Sequence, residues 1–249
     1  MALCDDVRGY WNSRAEGYSL RNCDELDGPE GEALAALFRE VLDPKPGMTA
    51  LDAGCGPGIM GLTLAKLGCR VTGVDLSPEM IDRARENAGA RGLDAKYMLG
   101  DASDPALEPG SLDLIVSRWV VWNLPAPADA YRRWMLLLKP GGRLLVIDGN
   151  HYLHLFDERY AALHEATAPP PGHAEKYVRG VDFTVMDRIA HSLPLSRIER
   201  PAWDVEILAS LGADVRIARE KTGEVTVKGA AERLVTEFCL VAEKKRGLD

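Results

Sequence analysis

The sequence predicts a doubly wound α/β fold built on a mostly parallel seven-stranded sheet. Short apolar segments alternate with helical patterns between residues 49 and 148, and a glycine-rich turn follows the first apolar segment. The same alternation returns after residue 200. Such alternation is typical of a parallel sheet that helices cover on both faces. Because crossovers between parallel strands are right-handed, we expect the sheet to be wound in both directions.

Two helices are predicted before the sheet. The first, residues 5–21, is polar and carries aromatic residues at helical spacing, so that Tyr10, Arg14 and Tyr18 are expected to share one face. The second, residues 30–42, is amphipathic and ends at the breaker formed by Pro44, Pro46 and Gly47.

The sheet and its helices follow in order. The predicted strands are residues 49–53, 70–75, 95–99, 112–117, 143–148, 214–219 and 235–242. The predicted helices between them are residues 58–67, 78–90, 128–138 and 202–211. The helix at residue 78 has the clearest start, because Ser77 is a preferred N-cap, Pro78 suits the first turn and Glu79 complements the helix dipole.

Residues 149–200 interrupt the alternation, being polar and mostly helical by pattern. We therefore predict one domain over residues 1–249. Its parts are N-terminal helices (1–45), a ligand-binding core (46–148), a helical cap inserted after the fifth strand (149–200) and C-terminal strands of the core (201–249).

Net charge and hydropathy limit the classes of partner that this chain is expected to bind. The net charge of −8 argues against nucleic acid, whose phosphates need a basic surface. No apolar run approaches the roughly 20 residues that cross a bilayer, so we expect no membrane partner. The oligomeric state stays open.

Cysteine usage and the first residues indicate a reducing compartment. The five cysteines are scattered without a C-x-x-C pair, which favours free thiols over a zinc site or disulfides, and no metal is predicted. Asp5 and Asp6 stand where a secretory signal carries basic residues. We expect a cytoplasmic protein.

The most informative segment runs from Leu51 to Gly58, where a strand leads into a glycine-rich turn that opens a helix. Glycines allow positive φ and close approach of the backbone to a ligand, and the helix N-terminus supplies oriented N–H groups. Asp75 ends the next strand at the same edge of the sheet, where a carboxylate can accept both hydroxyls of a ribose.

The same turn matches the dinucleotide fingerprint G-x-G-x-x-G, which by itself is a weak signal. Three features disfavour a nicotinamide or flavin enzyme. Asp52, just before the first glycine, is suited to an ammonium group that a dinucleotide lacks. Pro57 removes an N–H where a pyrophosphate needs one. Asp101, after the third strand, is suited to the exocyclic amine of adenine.

At these residues the sequence resembles the class I S-adenosylmethionine-dependent methyltransferases, in particular the small-molecule branch typified by ubiquinone and menaquinone biosynthesis enzymes. The resemblance covers about residues 46–148. Its segments are residues 51–58, 75–77, 100–102, 113–117 and 138–142. It implies a Rossmann-like methyltransferase fold, S-adenosyl-L-methionine as cofactor, and methyl transfer to an O, N, S or C atom of a small molecule.

The resemblance also implies roles for residues around the loop. Asp52 and the loop glycines hold the methionine part of the cofactor, Asp75 binds the ribose, Leu76 and Met80 pack on the adenine, and Asp101 with Ala102 binds its edge. The full predicted cofactor set is Tyr10, Tyr18, Asp52, Gly54, Cys55, Gly56, Gly58, Asp75, Leu76, Met80, Gly100, Asp101, Ala102, Ser117, Arg118 and Trp119.

The N-terminal helix resembles the lid that covers the cofactor in many small-molecule methyltransferases. Tyr10, Trp11 and Tyr18 are the residues that carry this likeness. An ordinary amphipathic helix packed on the domain is the alternative.

The segment after the fourth strand lies on the ligand side of the sheet. Related enzymes often carry His, Asn or Tyr there, whereas this chain has Arg118, Trp119 and Asn123. Arg118 is a candidate to hold a carboxylate, and Trp119 a candidate to flank the sulfonium by a cation–π contact. Packing of the tryptophans in the core is the alternative.

All histidines fall in the cap: His151, His154, His164, His173 and His191. His151 and His154 are the best placed, three residues apart beyond the fifth strand. Surface or structural roles, a general base and a metal site are all open. His151, His154 and Arg118 are the catalytic candidates. Because alignment supplies much of the catalysis in methyl transfer, a mechanism without a dedicated base is the alternative.

Two other functions remain open at this point. One is a different use of S-adenosylmethionine in the same fold. The other is a non-catalytic, cofactor-binding regulatory subunit.

Overall fold

A seven-stranded sheet organises the molecule, as predicted. The computed structural model describes residues 2–167 and 174–247. The strand order is β3-β2-β1-β4-β5-β7-β6. The strands are β1 (Thr49–Ala53), β2 (Arg70–Asp75), β3 (Ala95–Leu99), β4 (Leu112–Arg118), β5 (Leu138–Gly149), β6 (Ala213–Val227) and β7 (Ala230–Lys244). The first five strands are parallel, and β7 pairs antiparallel to both β5 and β6.

The strand order places a crevice at the centre of the sheet. The chain winds outward from β1 to β3 and then returns to begin β4 on the other side of β1. This reversal is a topological switch point, where ligands of open α/β sheets bind beyond the carboxyl ends of the strands. We therefore expect a ligand site beyond the carboxyl ends of β1 and β4.

Helices cover both faces of the sheet, and two apolar clusters fill the spaces between them. The helices are α1 (Ala2–Asp27), α2 (Pro29–Val41), α3 (Ile59–Lys66), α4 (Pro78–Ala90), α5 (Pro127–Leu137), α6 (Glu158–Ala166), α7 (Glu175–Val178), α8 (Thr184–Ala190) and α9 (Ala202–Ser210). Phe38 and Leu64 centre one cluster, and Leu51 and Trp134 centre the other. No helix in the described ranges is long and apolar enough to span a bilayer.

Helix α1 is longer than the predicted 5–21 segment. Its last residues are charged, and they are held by tertiary contacts: Asp24 accepts from Lys176 and from the Tyr177 hydroxyl of α7. Asn87 of α4 donates to Ser19 from the other side. Tertiary packing, and not a hydrophobic pattern, stabilises this end of α1. The sequence therefore did not indicate that the helix continues beyond residue 21.

The C-terminal hairpin also exceeds the predicted strands, which covered residues 214–219 and 235–242. Lys228 and Gly229 both have positive φ (51° and 83°), so they form the two-residue turn that suits a right-twisted hairpin. The extension packs on the cap, where Val225 and Leu234 meet Leu163 of α6. Two-residue hairpin turns usually begin with Asn, Asp or Gly. Because Lys228 stands in that position here, the sequence did not indicate the turn.

The cap is helical, as predicted, but part of it is apolar core. Met186, Ile189 and Leu193 are buried against Tyr10 and Trp122, a tertiary cluster that its polar composition does not indicate. His173 and the Pro169–Pro171 run lie outside the described residues.

Candidate active site

A cavity lies beyond the carboxyl ends of β1, β2 and β4. This is the place where open α/β sheets bind small-molecule ligands. Its lining comprises Trp11, Tyr18, Asn22, Asp52, Gly54, Cys55, Gly56, Ile59, Met60, Asp75, Leu76, Met80, Asp101, Ala102, Arg118, Trp119, Val120, Asn123 and Leu124. The topology and the cavity therefore agree on the location of the site.

The glycine-rich loop forms the floor of this cavity. Gly54 has φ +71° and donates its N–H to the Val74 carbonyl of β2 (2.8 Å). A Cβ on Gly54 would lie 2.4 Å from a Val120 methyl carbon, closer than atoms can pack. Glycine is needed at position 54 for two reasons. It tolerates the left-handed backbone, and its lack of a side chain lets Val120, in the segment after β4, approach closely.

Asp52 ends β1 directly under the loop. It is buried, and its carboxylate accepts from the Gly61 N–H at the start of α3 (2.7 Å). Burial, with a smaller contribution from the Asp75 charge, raises the pKa of Asp52 to about 7, against the lowering effect of the Gly61 hydrogen bond. This carboxyl group can therefore change charge near neutral pH.

Asp75 ends β2 beside it and anchors the loop. One carboxylate oxygen accepts from the Gly56 N–H and the other from the Ser77 N–H, both at 2.9 Å. Burial raises the pKa of Asp75, and the backbone hydrogen bonds oppose that rise. Each oxygen has a second lone pair, so the group can hold the loop and still accept from a ligand.

The third carboxylate belongs to Asp101, which is solvent-exposed at the rim. It accepts from the Ser103 N–H and hydroxyl, at 2.8 Å and 2.7 Å. Ala102, next to it, is buried, and its carbonyl accepts from Trp134 Nε1 (2.7 Å), which fixes the strand-to-loop junction. Leu76 and Met80 supply the apolar wall between Asp75 and this rim.

Helix α1 closes the opposite side of the cavity. Trp11 and Tyr18 lie one above the other with ring centroids 5.6 Å apart, and Asn22 follows on the same stripe. When the Asn123 amide is oriented by its hydrogen bonds, its oxygen accepts from Trp11 Nε1 (3.0 Å) and its nitrogen donates to the Val120 carbonyl (2.7 Å). This contact ties α1 to the segment after β4.

Of the predicted helix face of Tyr10, Arg14 and Tyr18, only Tyr18 lines the cavity. Tyr10 does not line the cavity but packs in the cap cluster, while its neighbour Trp11 faces the site. Sequence reasoning named Trp11 only as part of a lid and overlooked Asn22. The seven- and eleven-residue separations of Trp11 from Tyr18 and Asn22 are the signal that identifies this stripe.

Several predicted cofactor residues support the cavity from below rather than line it. The buried Ser117 hydroxyl donates to the Ala53 carbonyl (3.0 Å). The Gly100 N–H donates to the backbone carbonyl of Asp75 (2.9 Å). Gly58 leaves room for Tyr97, whose hydroxyl would lie 2.7 Å from an added Cβ.

Arg118 lines the cavity but is not a free cation, which corrects the expectation that it holds a substrate carboxylate. Its guanidinium forms a two-point ion pair with Glu25 of α1, at 2.7 Å and 2.9 Å. Both side chains are mostly buried, with exposures of 10% and 18%. Arg118 therefore joins α1 to the sheet, and its charge is already neutralised.

The ring of Trp119 already contacts two cationic side chains. Its ring contacts the guanidinium carbons of Arg118 (4.1 Å) and Arg21 (4.8 Å). Its φ of +58° is rare for a bulky side chain and occurs mainly where a site demands it. The expected cation–π contact with a sulfonium would have to share this ring with two arginines.

The structure places His151 behind the cavity, next to an acid. Its Nε2 lies 3.3 Å from Asp148 at the end of β5, and its ring packs edge-on against Trp119 and Trp122. Although burial alone would raise it, Arg200 and His151 hold the pKa of Asp148 below its usual value. His151 does not line the cavity but contacts a residue that does.

His154 lies further out in the cap. Its ring stacks on His164 with centroids 4.0 Å apart, and its Nδ1 lies 3.1 Å from the His151 carbonyl. Burial and the neighbouring His164 lower the pKa of His154. Within the described ranges no three His, Cys, Asp or Glu side chains come together as a metal site.

Sequence comparisons agree with this geometry. Residues 51–146 match the protein-family model described as a methyltransferase domain. The ubiquinone biosynthesis O-methyltransferase of Xanthomonas euvesicatoria pv. vesicatoria is 37% identical over 128 residues, covering 49% of this chain and 54% of the relative. The enzyme of the same description from Colwellia psychrerythraea is 38% identical over 111 residues, covering 43% and 45%. The chain thus spans about half the length of the curated relatives it matches.

Solved structures share the fold. The magnesium protoporphyrin IX methyltransferase of Synechocystis, solved with bound S-adenosylhomocysteine, superposes with a TM-score of 0.59 at 19% identity, covering 98% of this chain and all of the other. A SAM-dependent methyltransferase from Aquifex aeolicus gives a TM-score of 0.54 at 21% identity, covering 88% and 94%. The methyltransferase-domain match over residues 51–146 and the shared fold agree with the resemblance to class I methyltransferases seen in the sequence.

Proposed function

We propose that this chain binds S-adenosyl-L-methionine in the cavity and transfers its methyl group to a small-molecule acceptor. The observation that carries this proposal is the set of three carboxylates, Asp52, Asp75 and Asp101, around one glycine loop at the switch point. Two of them lie directly under the loop, where a pyrophosphate would be repelled. Arg118, a basic residue of the lining, is already paired with Glu25.

The residues fit the parts of the cofactor in order. Ionised Asp52 pairs with the ammonium of the methionine portion, next to the loop N–H groups. Asp75 accepts from the ribose hydroxyls through its remaining lone pairs. Leu76 and Met80 cover the adenine, and Asp101 with Ala102 meets its edge.

The cofactor supplies a methyl group already activated by a positive sulfur. Bound in this cavity, the cofactor would supply that methyl group to an electron pair of the acceptor, and its sulfur would keep the electrons of the broken carbon–sulfur bond. The chain contributes alignment, since Trp11, Tyr18 and Trp119 confine the acceptor between α1 and β4. Closure by α1 also keeps water out of the reaction.

A proton must leave an O–H or N–H acceptor. We propose His151 for this task because its Nε2 lies 3.3 Å from the Asp148 carboxylate and its ring packs against Trp119 of the cavity wall. His154 is a weaker candidate, being stacked on His164 away from the cavity. Arg118 is proposed to position Trp119 and α1 rather than to touch the acceptor.

We further propose a cytoplasmic setting and a metabolite acceptor, without nucleic acid or membrane partners. All five cysteines are free thiols, as a reducing compartment favours. The O-methyltransferase relatives support an oxygen atom as the methyl acceptor.

Calorimetry with S-adenosylhomocysteine and with NAD tests the proposal. We expect micromolar binding of S-adenosylhomocysteine and none of NAD. Asp75→Asn should weaken binding by about 1.5–3 kcal/mol, because charge-assisted hydrogen bonds are lost. Asp94→Asn, at an exposed acid in the turn before β3, is the matched control. Heat with NAD and none with S-adenosylhomocysteine would refute the proposal.

A further inference from the structure

Arg21 is a half-buried cation of α1 that has no acidic partner among the residues the structure describes. Within residues 2–167 and 174–247 its guanidinium makes no hydrogen bond or ion pair, and its recorded contact is with the Trp119 ring, 4.8 Å from the centroid. An arginine in such a position ordinarily pairs with a carboxylate, particularly in a chain with a net charge of −8.

The acids that could pair with Arg21 along the helix are engaged elsewhere. Glu25, one turn further on, gives both carboxylate oxygens to Arg118. Asp24, three residues on, accepts from Lys176 and from the Tyr177 hydroxyl. The fold thus neutralises Arg118 and leaves Arg21 with its charge available.

Arg21 adjoins the acceptor end of the cavity rather than the cofactor end. Trp119, on which it stacks, and Tyr18, one helical turn before it, both line the cavity. Burial raises the pKa of the Tyr18 hydroxyl, and the charges of Arg118 and Arg21 oppose that rise, so the Arg21 charge reaches the cavity wall.

The ring under Arg21 carries a second unused donor. Trp119 Nε1 is buried and has no hydrogen-bond partner in the described part of the chain. Stacking on an aromatic face leaves the edges of a guanidinium free to donate. A cation and an indole N–H without acceptors therefore lie together at this end of the cavity.

We propose that Arg21 binds an anionic oxygen group of the methyl acceptor, a carboxylate or a phosphate, at the Trp119 wall. The proposal rests on the proposed function and adds the substrate class to it. The guanidinium fork suits such a group by two-point hydrogen bonding. The cavity wall of Trp11, Tyr18 and Trp119 suits a planar body attached to that group.

Binding of three probes to protein saturated with S-adenosylhomocysteine tests this. The probes are benzoate, benzamide and phenyl phosphate, measured by ligand-observed NMR titration. We expect benzoate or phenyl phosphate to bind at least about tenfold more tightly than benzamide, since a hydrogen bond to a charged group accounts for that much. Preference for one anion over the other assigns the group as carboxylate or phosphate.

Two variants and one control locate the effect. Arg21→Met keeps the stem on Trp119 and should remove the preference for anions, whereas Arg21→Lys should retain part of it. Arg8→Met, on the same helix in an exposed pair with Asp5, should behave as wild type. All variants should bind S-adenosylhomocysteine within about threefold of wild type.

The outcomes separate this inference from the proposed function. Equal binding of benzamide and the anions, no binding of any probe, or an unchanged preference in Arg21→Met would overturn the role of Arg21 while cofactor binding stands. Failure of S-adenosylhomocysteine to bind would instead refute the proposed function, and the anion preference is then measured on the ligand-free protein.

Discussion

The proposed cofactor end and the proposed acceptor end of the cavity are assembled differently. Asp52 and Asp75 lie at the carboxyl ends of β1 and β2, and Asp101 follows β3, so their positions depend on the ordinary geometry of parallel strands. The acceptor end brings together α1, the segment after β4 and the cap, which are far apart in sequence. Arg118 and Glu25, for example, are separated by 93 residues. A site made of strand ends is robust, whereas one made of long-range contacts depends on each of them.

The largest effect is expected from the buried charges that hold the acceptor end. Arg200 is fully buried between Asp148 (2.9 Å) and Asp204 (2.6 Å), and Asp148 also accepts from the Trp122 N–H. Arg200→Met removes the cation that pairs with both buried carboxylates and should lower the free energy of unfolding by about 3–5 kcal/mol. Urea denaturation measures this.

The exposed Arg132, paired with Asp129, provides the control. Arg132→Met should cost less than about 1 kcal/mol. If Arg200→Met is as stable as this control, the acceptor end does not depend on the network.

The glycine loop tests the cofactor end. Gly54→Ala combines a left-handed backbone with a clash against Val120, and we expect a loss of about 1–3 kcal/mol in stability together with weaker S-adenosylhomocysteine binding. Gly110→Ala has a similar φ of +64° but open space around the new methyl group. Gly110→Ala should lose some stability but should bind S-adenosylhomocysteine as wild type does in calorimetry. Equal affinities in the two variants would contradict this role for the loop.

The pKa of Asp52 predicts how cofactor affinity depends on pH. Below about 7 the carboxyl group is mostly neutral and cannot pair with an ammonium, so affinity should fall by up to tenfold per unit as pH decreases toward about 6. Titrations between about pH 6 and about pH 8 measure this, with Asp52→Asn as the flat reference. The same dependence in Asp52→Asn would assign it to another group.

The ligand-free protein should show the opposite sign. Because the folded-state pKa of Asp52 is raised, its contribution to stability is fullest below its unfolded value and is lost as pH rises toward about 7. Comparing the pH dependence of unfolding in wild type and Asp52→Asn isolates this contribution.

The smallest effect is expected from the ion pair that joins α1 to β4. Glu25→Gln removes the charge partner of Arg118 and should lower stability by about 1 kcal/mol. Hydrogen exchange should increase in α1 and not in α4, because α1 is the element that the pair holds. Uniform exchange across both helices would show general damage instead.

Local sequence was sufficient to place the acids of the proposed cofactor end. The strands at residues 49–53, 70–75 and 95–99 were predicted with their observed bounds, which brings Asp52, Asp75 and Asp101 to one edge of the sheet. The reason is that strand period, glycine turns and helix caps are short-range features, and parallel strands bring consecutive carboxyl ends to one edge of the sheet. That these three acids bind the cofactor stays a prediction.

Tertiary structure alone decided the acceptor end. It selected Trp11 over Tyr10 because each helical residue turns by about 100°, so one step of rotation exchanges the faces of α1. It paired Arg118 with Glu25 and left Arg21 available on the same helix, a distinction that depends on which side chains meet across the cavity. No periodicity encodes such contacts, since their partners belong to elements that only folding brings together.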